Sequence, residues 1–187
     1  MKIGLKVTEM KNLNWQPAPY LKANNVSPEL IEWLSYPGSF MTRLEDHGVV
    51  NPKIIVLNET SKRPELDEMQ WLEMKPRVFA RIREVLICSD AGKWMVARTV
   101  IPLATLTGRE KQLAHLKTRS LGSVLFKDPT VERTEFEYAC VKPGMSLYTK
   151  CKAYENAPQY WARRSLFYVK EKPLLLTEVF LPGVEKL

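Results

Sequence analysis

Histidine is scarce in this chain, with two in 187 residues, and His47 and His115 stand far apart. That scarcity argues against a zinc or non-haem iron centre and leaves histidine-driven nucleophilic catalysis little to work with. Cysteine is sparse too. Cys88, Cys140 and Cys151 are odd in number and no two have metal-ligand spacing, which points to free or buried thiols in a reducing compartment. The eight glycines form no Gly-rich turn between a strand and a helix, so a dinucleotide fingerprint or phosphate loop is excluded. No apolar run approaches the roughly 18–20 residues that span a bilayer; the longest, 96–106 and 174–181, are broken by Arg98 and Glu178. Residues 1–11 lack an apolar signal core followed by a cleavage site. A cytoplasmic protein without membrane insertion is expected.

With 45% hydrophobic and 26% charged residues, the balance is that of an ordinary globular protein. One domain over residues 1–187 is expected, with 1–26 as an irregular lead-in carrying Pro17, Pro19 and Asn24-Asn25, and 27–187 as the folded body. The net charge of +7 favours an anionic partner. The cations are scattered, however; the densest stretches, 109–119 and 150–172, are not blocks of like charge. A solvated basic surface accounts for most of them, and nucleic acid is not an expected partner.

Ser27-Pro28-Glu29 reads as a helix start, with a capping serine, proline at the first position and an acid at the positive end of the dipole. Leu30, Trp33 and Leu34 follow on one face, and Pro37-Gly38 stops the helix. Ser39 caps a second short helix carrying Met41 and Leu44, with Gly48 as terminator. The pattern then changes to strands at 53–58 and 78–89. Asp90-Ala91-Gly92 supplies a turn, and 93–103 returns as the hairpin partner. Thr107-Gly108-Arg109-Glu110 fits a capping box opening a helix to about Lys117. Extended stretches follow at 130–140, 160–170 and 174–181. The implied class is α+β with an antiparallel sheet.

Several charges sit among apolar strand residues. Side chains alternate across a strand, so Glu178 shares a face with Leu174, Leu176 and Phe180, and the opposite face is also mostly apolar. Arg83 goes with Val85 and Ile87, Arg98 with Trp94, Val96 and Val100, and Arg164 with Leu166 and Tyr168. An isolated charge is expensive to bury. Either Arg83 or Arg98 pairs with Glu178 in a functionless ion pair, or these charges sit at strand ends and reach water, or the arginines face a pocket and grip a carboxylate. In the last case Glu178 hydrogen-bonds the ligand or donates a proton, its pKa raised by apolar surroundings.

The residues themselves resemble a known family. Arg83-Glu84-Val85-Leu86-Ile87-Cys88, Ala97-Arg98-Thr99-Val100-Ile101-Pro102, Leu121-Gly122 with Leu125-Phe126, and Trp161-Ala162-Arg163-Arg164-Ser165 are similar to chorismate pyruvate-lyases. So is the closing run from Lys172-Pro173 through Glu178 to Pro182, and Ser39-Phe40-Met41-Thr42 matches in kind. The resemblance covers roughly residues 28–182. It implies loss of pyruvate from chorismate to give 4-hydroxybenzoate for ubiquinone synthesis, with no metal or organic cofactor, in a monomer. It implies a single antiparallel sheet with helices packed on one side and helical flaps over an internal cavity. Arg83 would hold the ring carboxylate, assisted by backbone groups of Met41 and Leu121, and Glu178 would meet the hydroxyl end. Arg98 is a further candidate, for the enolpyruvyl carboxylate or the product exit, and Arg164 a weaker one. Two routes stay open: acid-assisted departure, or concerted movement of hydrogen from ring to methylene. Residues 141–158 look like an insertion that would alter a flap, and the lead-in looks extended. The competing reading is a non-catalytic sensor of small aromatic acids, built on the related effector fold of transcription regulators.

Overall fold

A computed structural model of the chain describes residues 13–187. The order is α1 (Pro19–Ala23), α2 (Pro28–Ser35), α3 (Phe40–Asp46), β1 (Lys53–Lys62), α4 (Leu66–Trp71), β2 (Ala80–Ser89), β3 (Gly92–Pro102), α5 (Gly122–Leu125), β4 (Val131–Arg133), β5 (Glu137–Val141), α6 (Ser146–Lys152), β6 (Tyr160–Val169) and β7 (Lys172–Phe180). The strands form one seven-stranded antiparallel sheet in the order β1-β2-β3-β7-β6-β4, with β5 also on β6. This is the α+β class that the strand pattern implied.

The predicted caps of α2 and α3 form. The Ser27 hydroxyl accepts from the Leu30 amide at 3.2 Å and the Ser39 hydroxyl from Thr42 at 3.4 Å. Gly48 ends α3's turn at φ 80°, a conformation that costs glycine nothing. The capping box at Thr107 does not form. Gly108–His115 is a 3₁₀ segment without a side-chain cap, because the Glu110 carboxylate is held by Lys170 and Lys172 and the Thr107 hydroxyl by Lys172. The lead-in is less irregular than expected: it contains α1, and Gln16 bridges to Tyr138 beside β5. Its residues 1–12 lie outside those described.

The strand expected at 130–140 is broken. The Thr134 hydroxyl accepts the Leu166 amide at 3.0 Å, replacing a ladder carbonyl. Three residues, 134–136, then stand against two, 165–166, between the pairs Arg133↔Phe167 and Glu137↔Arg164. The extra residue reverses the facing of everything before it.

The sheet is covered on both faces. The main helical layer, α1, α2 and α3 with α5, packs on the face carrying Val85, Ile87, Ala97, Phe167 and Phe180. On the other face, α4 packs beside Ile82, Val100 and Leu175, and α6 beside Leu86, Val96, Tyr160 and Val179. The 141–158 insertion therefore contains α6 and lies behind the sheet, away from the main helical layer. Among the described residues no helix is long and apolar enough to cross a membrane.

Candidate functional site

Strand register decides which charges meet. Arg83 lies opposite Thr99, and Thr99 opposite Leu176; two residues on, Val85 lies opposite Ala97, Ala97 opposite Glu178, and Glu178 opposite Arg163. Residues in these rows share a face, so Arg83, Glu178 and Arg163 all point toward the main helical layer. Two strand spacings and one pleat repeat separate the Cα atoms of Arg83 and Glu178 by roughly 12 Å.

Between them lies a pocket, part of it open to solvent. Its floor is apolar sheet, including Val85, Met95, Ala97 and Leu176; its roof is Phe40 and Met41 of α3 with Leu121, Leu125 and Phe126 around α5. The polar groups that reach it include Arg83, Arg133 and Glu178. Four of the five sequence candidates, Arg83, Glu178, Met41 and Leu121, thus line one cavity. The amides of Met41 and Leu121 sit at helix starts, where intrahelical partners are lacking.

Arg83 is 3% exposed, yet among the described residues no acid lies within 4.0 Å of it. Nη2 donates to the carbonyls of Lys117 at 2.6 Å and Arg119 at 3.2 Å, where the chain turns over at Lys117 with φ 51°. Nε is buried and has no hydrogen-bond partner among the described residues. Burial lowers its pKa, and the nearby charge of Glu59 opposes that only in part. A buried guanidinium with donors to spare has the chemistry to hold a carboxylate.

Glu178 is gripped by Arg163, from Nε at 2.6 Å and Nη2 at 3.2 Å, and touched by Arg133 Nη2 at 3.4 Å. Burial pushes its carboxyl up, but the two guanidiniums outweigh that and hold the pKa below the ordinary 4.5. The expectation of a raised pKa fails here: the neighbours along β7 are apolar, but the neighbour across the ladder is a cation. Arg163, 1% exposed, also donates to the carbonyls of Trp33, Leu34 and Tyr36. It ties the end of α2 to the sheet. Arg133 lies over the rings of Phe136 at 4.1 Å and Phe167 at 4.6 Å, and donates to Ser165 Oγ at 2.7 Å and the Pro37 carbonyl at 3.0 Å. Burial lowers its pKa to about 10; the like charge of Arg163 adds to this while Glu178 opposes it.

Arg98 and Arg164 lie behind the sheet. Arg98 donates to Glu68 at 2.6 and 2.9 Å and to Glu84 at 2.7 Å, and Lys150 of α6 also pairs with Glu84. Burial favours the neutral forms, but this pairing outweighs it, raising the pKa of Arg98 and holding Glu84 at about 2. Arg164 is sandwiched between Trp15 at 4.5 Å and Trp71 at 4.1 Å and paired with Glu137 and Asp67. The ion pairs the sequence left open thus exist, but with other partners: Glu178 with Arg163, and Arg98 with Glu68 and Glu84.

Reading the sequence alone missed Arg133 and Arg163 as neighbours of Glu178. Arg163 was findable, since its parity opposes Arg164 and its face is the apolar one shared with Trp161. Arg133 was not, because the break at Thr134 reverses parity.

Fold and site together define an α+β ligand-binding protein whose buried, cation-rich pocket suits a carboxylate on a flat apolar body. Residues 9–186 match the family model described as chorismate lyase, and the chain belongs to that family. The match reaches into the lead-in, which is therefore part of the family's span. Similar proteins include one named probable chorismate pyruvate-lyase from Nitrosomonas europaea, 32% identical over 180 residues, covering 94% of this chain and 97% of that one. Another is named chorismate pyruvate-lyase, from Proteus mirabilis, 34% identical and covering 84% and 83%. The fold is shared with PhnF from Mycobacterium smegmatis, with a TM-score of 0.58 at 9% identity over 94% of this chain and 90% of that one. It is also shared with a GntR-family transcriptional regulator from Bacillus cereus, with a TM-score of 0.54 at 13% identity over 71% and 92%.

Proposed function

We propose that the pocket beneath α3 and α5 binds chorismate and that the chain eliminates pyruvate from it, leaving 4-hydroxybenzoate. The carrying observation is Arg83, a buried cation without an acid partner among the described residues, in one pocket with Glu178. The ring carboxylate sits on Arg83, with the amides of Met41 and Leu121 completing its shell. The ring lies on Val85, Ala97 and Leu176, and its hydroxyl donates to Glu178.

An ionised Glu178 has no proton to give, so it serves as an acceptor that fixes the ring hydroxyl. The step balances without a protein acid: the ring C–O bond breaks, and the hydrogen on the hydroxyl-bearing ring carbon moves to the methylene. The enol ether becomes the ketone of pyruvate, and the ring becomes aromatic. Aromatisation supplies the driving force; the protein supplies orientation and exclusion of water. The segments around Met41 and Leu121 act as flaps over the ligand, and the protein works as a monomer in the cytoplasm at the entry to ubiquinone synthesis.

Purified protein, chorismate and a chelator should release pyruvate and 4-hydroxybenzoate in equal amounts. Binding of 4-hydroxybenzoate without turnover would leave the sensor reading in its place; neither binding nor turnover would remove both.

A further inference from the structure

The pocket carries more positive charge than one carboxylate needs. Among the described residues, Arg83, Arg133 and Glu178 line it, Arg163 pairs with Glu178 from beside it, and the further acid that bears on Arg83, Glu59, is already paired with Arg81. Three guanidiniums against one carboxylate leave an excess of two charges in apolar surroundings, where uncompensated charge is costly. Arg163 is not the free one: it grips Glu178 through two nitrogens and fills its third with backbone carbonyls. The surplus lies on Arg83 and on Arg133, whose contact with Glu178 is the long one at 3.4 Å. Three N–H groups of Arg133 are used, toward Ser165, Pro37 and Glu178; a guanidinium has five, so two remain. Its plane is fixed between aromatic rings, and it lines the same cavity as Arg83. Arg98, the sequence-based candidate for a second carboxylate, is satisfied by two glutamates behind the sheet.

We propose that Arg133 is the second anion-binding residue of this pocket, holding the side-chain carboxylate of chorismate and afterwards pyruvate, while Arg83 keeps the ring carboxylate. The inference rests on the chorismate reading and deepens it. A dianion matches the two uncompensated charges. After the ring C–O bond breaks, each product carries one carboxylate and each arginine keeps one, so the two products occupy the pocket together. Held on the side-chain carboxylate, Arg133 also brings an N–H to the ether oxygen that gains charge as it leaves, which stabilises departure.

The test uses the full-length protein and the variants Arg133→Gln and Arg133→Lys. In Arg133→Gln, kcat/KM for chorismate should fall about 100-fold, while the Kd of 4-hydroxybenzoate, a monoanion, stays within about threefold, which also reports an intact fold. Arg133→Lys should recover part of the loss. Independently of turnover, pyruvate titrated into protein saturated with 4-hydroxybenzoate should bind, and bind at least about tenfold more weakly to Arg133→Gln. Unchanged kcat/KM, parallel loss of 4-hydroxybenzoate affinity, or pyruvate binding indifferent to the substitution would overturn the proposal. Wild-type protein that binds pyruvate through Arg133 beside 4-hydroxybenzoate, yet leaves chorismate unchanged, would uphold the subsite and sink the lyase.

Discussion

Arg83 and Glu178 occupy one pocket, yet their contributions to stability have opposite signs. Arg83 is a buried cation that forms no ion pair among the described residues; two carbonyls hold it, and the charge of Glu59, itself paired with Arg81, offsets its burial only in part. Replacing it with methionine removes an uncompensated charge, so Arg83→Met should leave Tm unchanged or raise it. The same change should lower kcat/KM for chorismate by about 100-fold or more and weaken 4-hydroxybenzoate binding. Thermal melts and kinetics on one preparation check both halves. Glu178 behaves in reverse. Glu178→Gln leaves Arg163 buried without its counter-charge, at a cost of about 3–5 kcal/mol, read as a lower urea midpoint. The pH sign follows from the depressed pKa. The stabilisation is complete above the ordinary carboxylate value of 4.5 and is lost as pH falls through the lower folded value. Between pH 6 and pH 3 the wild type should therefore lose more stability than Glu178→Gln, and the two curves should converge in acid.

At the level of elements, the sheet separates function from support. The network Glu68–Arg98–Glu84–Lys150 joins α4, β3, β2 and α6 behind the sheet. Removing its centre leaves two buried acids with one lysine between them. Arg98→Met should cost about 3–5 kcal/mol of stability, yet leave the Kd of 4-hydroxybenzoate within about threefold, because Arg98 points away from the pocket. A large loss of ligand affinity at unchanged stability would contradict that division. The insertion plays the same supporting part. Its Cys151 is fully buried in α6, and burial pushes the thiol up to about 12. With Cys88 and Cys140 also buried, a thiol reagent should label native protein slowly and all three residues promptly in denaturant. The insertion, expected to alter a flap, lies behind the sheet instead, and the pocket is covered by α3 and α5, whose sequence motifs were visible.

For the whole molecule, the strand order β1-β2-β3-β7-β6 sets the distance between Arg83 and Glu178. Placing β3 between β2 and β7 puts Arg83 and Glu178 two strands apart, a span that suits a para-substituted aromatic acid. Ligand that binds only the folded state stabilises it by mass action. At 100 times its Kd, 4-hydroxybenzoate should add about 2.7 kcal/mol, a rise in Tm of about 5–10 °C for a chain of this size. The same fold occurs in PhnF and in a GntR-family transcriptional regulator, 9% and 13% identical to this chain. A shared sheet does not fix function, which depends on the side chains grafted on it.

The sequence by itself determined the strands and their faces outside the broken stretch at 130–140, the caps of α2 and α3, and the family to which Arg83, Glu178, Met41 and Leu121 belong. These are local matters: alternation, cap chemistry and contiguous motifs are written in neighbouring residues. Tertiary structure alone decided the partners. Parity made Arg98 and Glu178 equally odd, but register placed one behind the sheet among glutamates and the other beside Arg163. The break at Thr134 turned Arg133 to the face its position in the chain did not indicate. A charge's role is fixed by what lies within a few ångströms of it, and in an antiparallel sheet those neighbours come from strands distant in sequence.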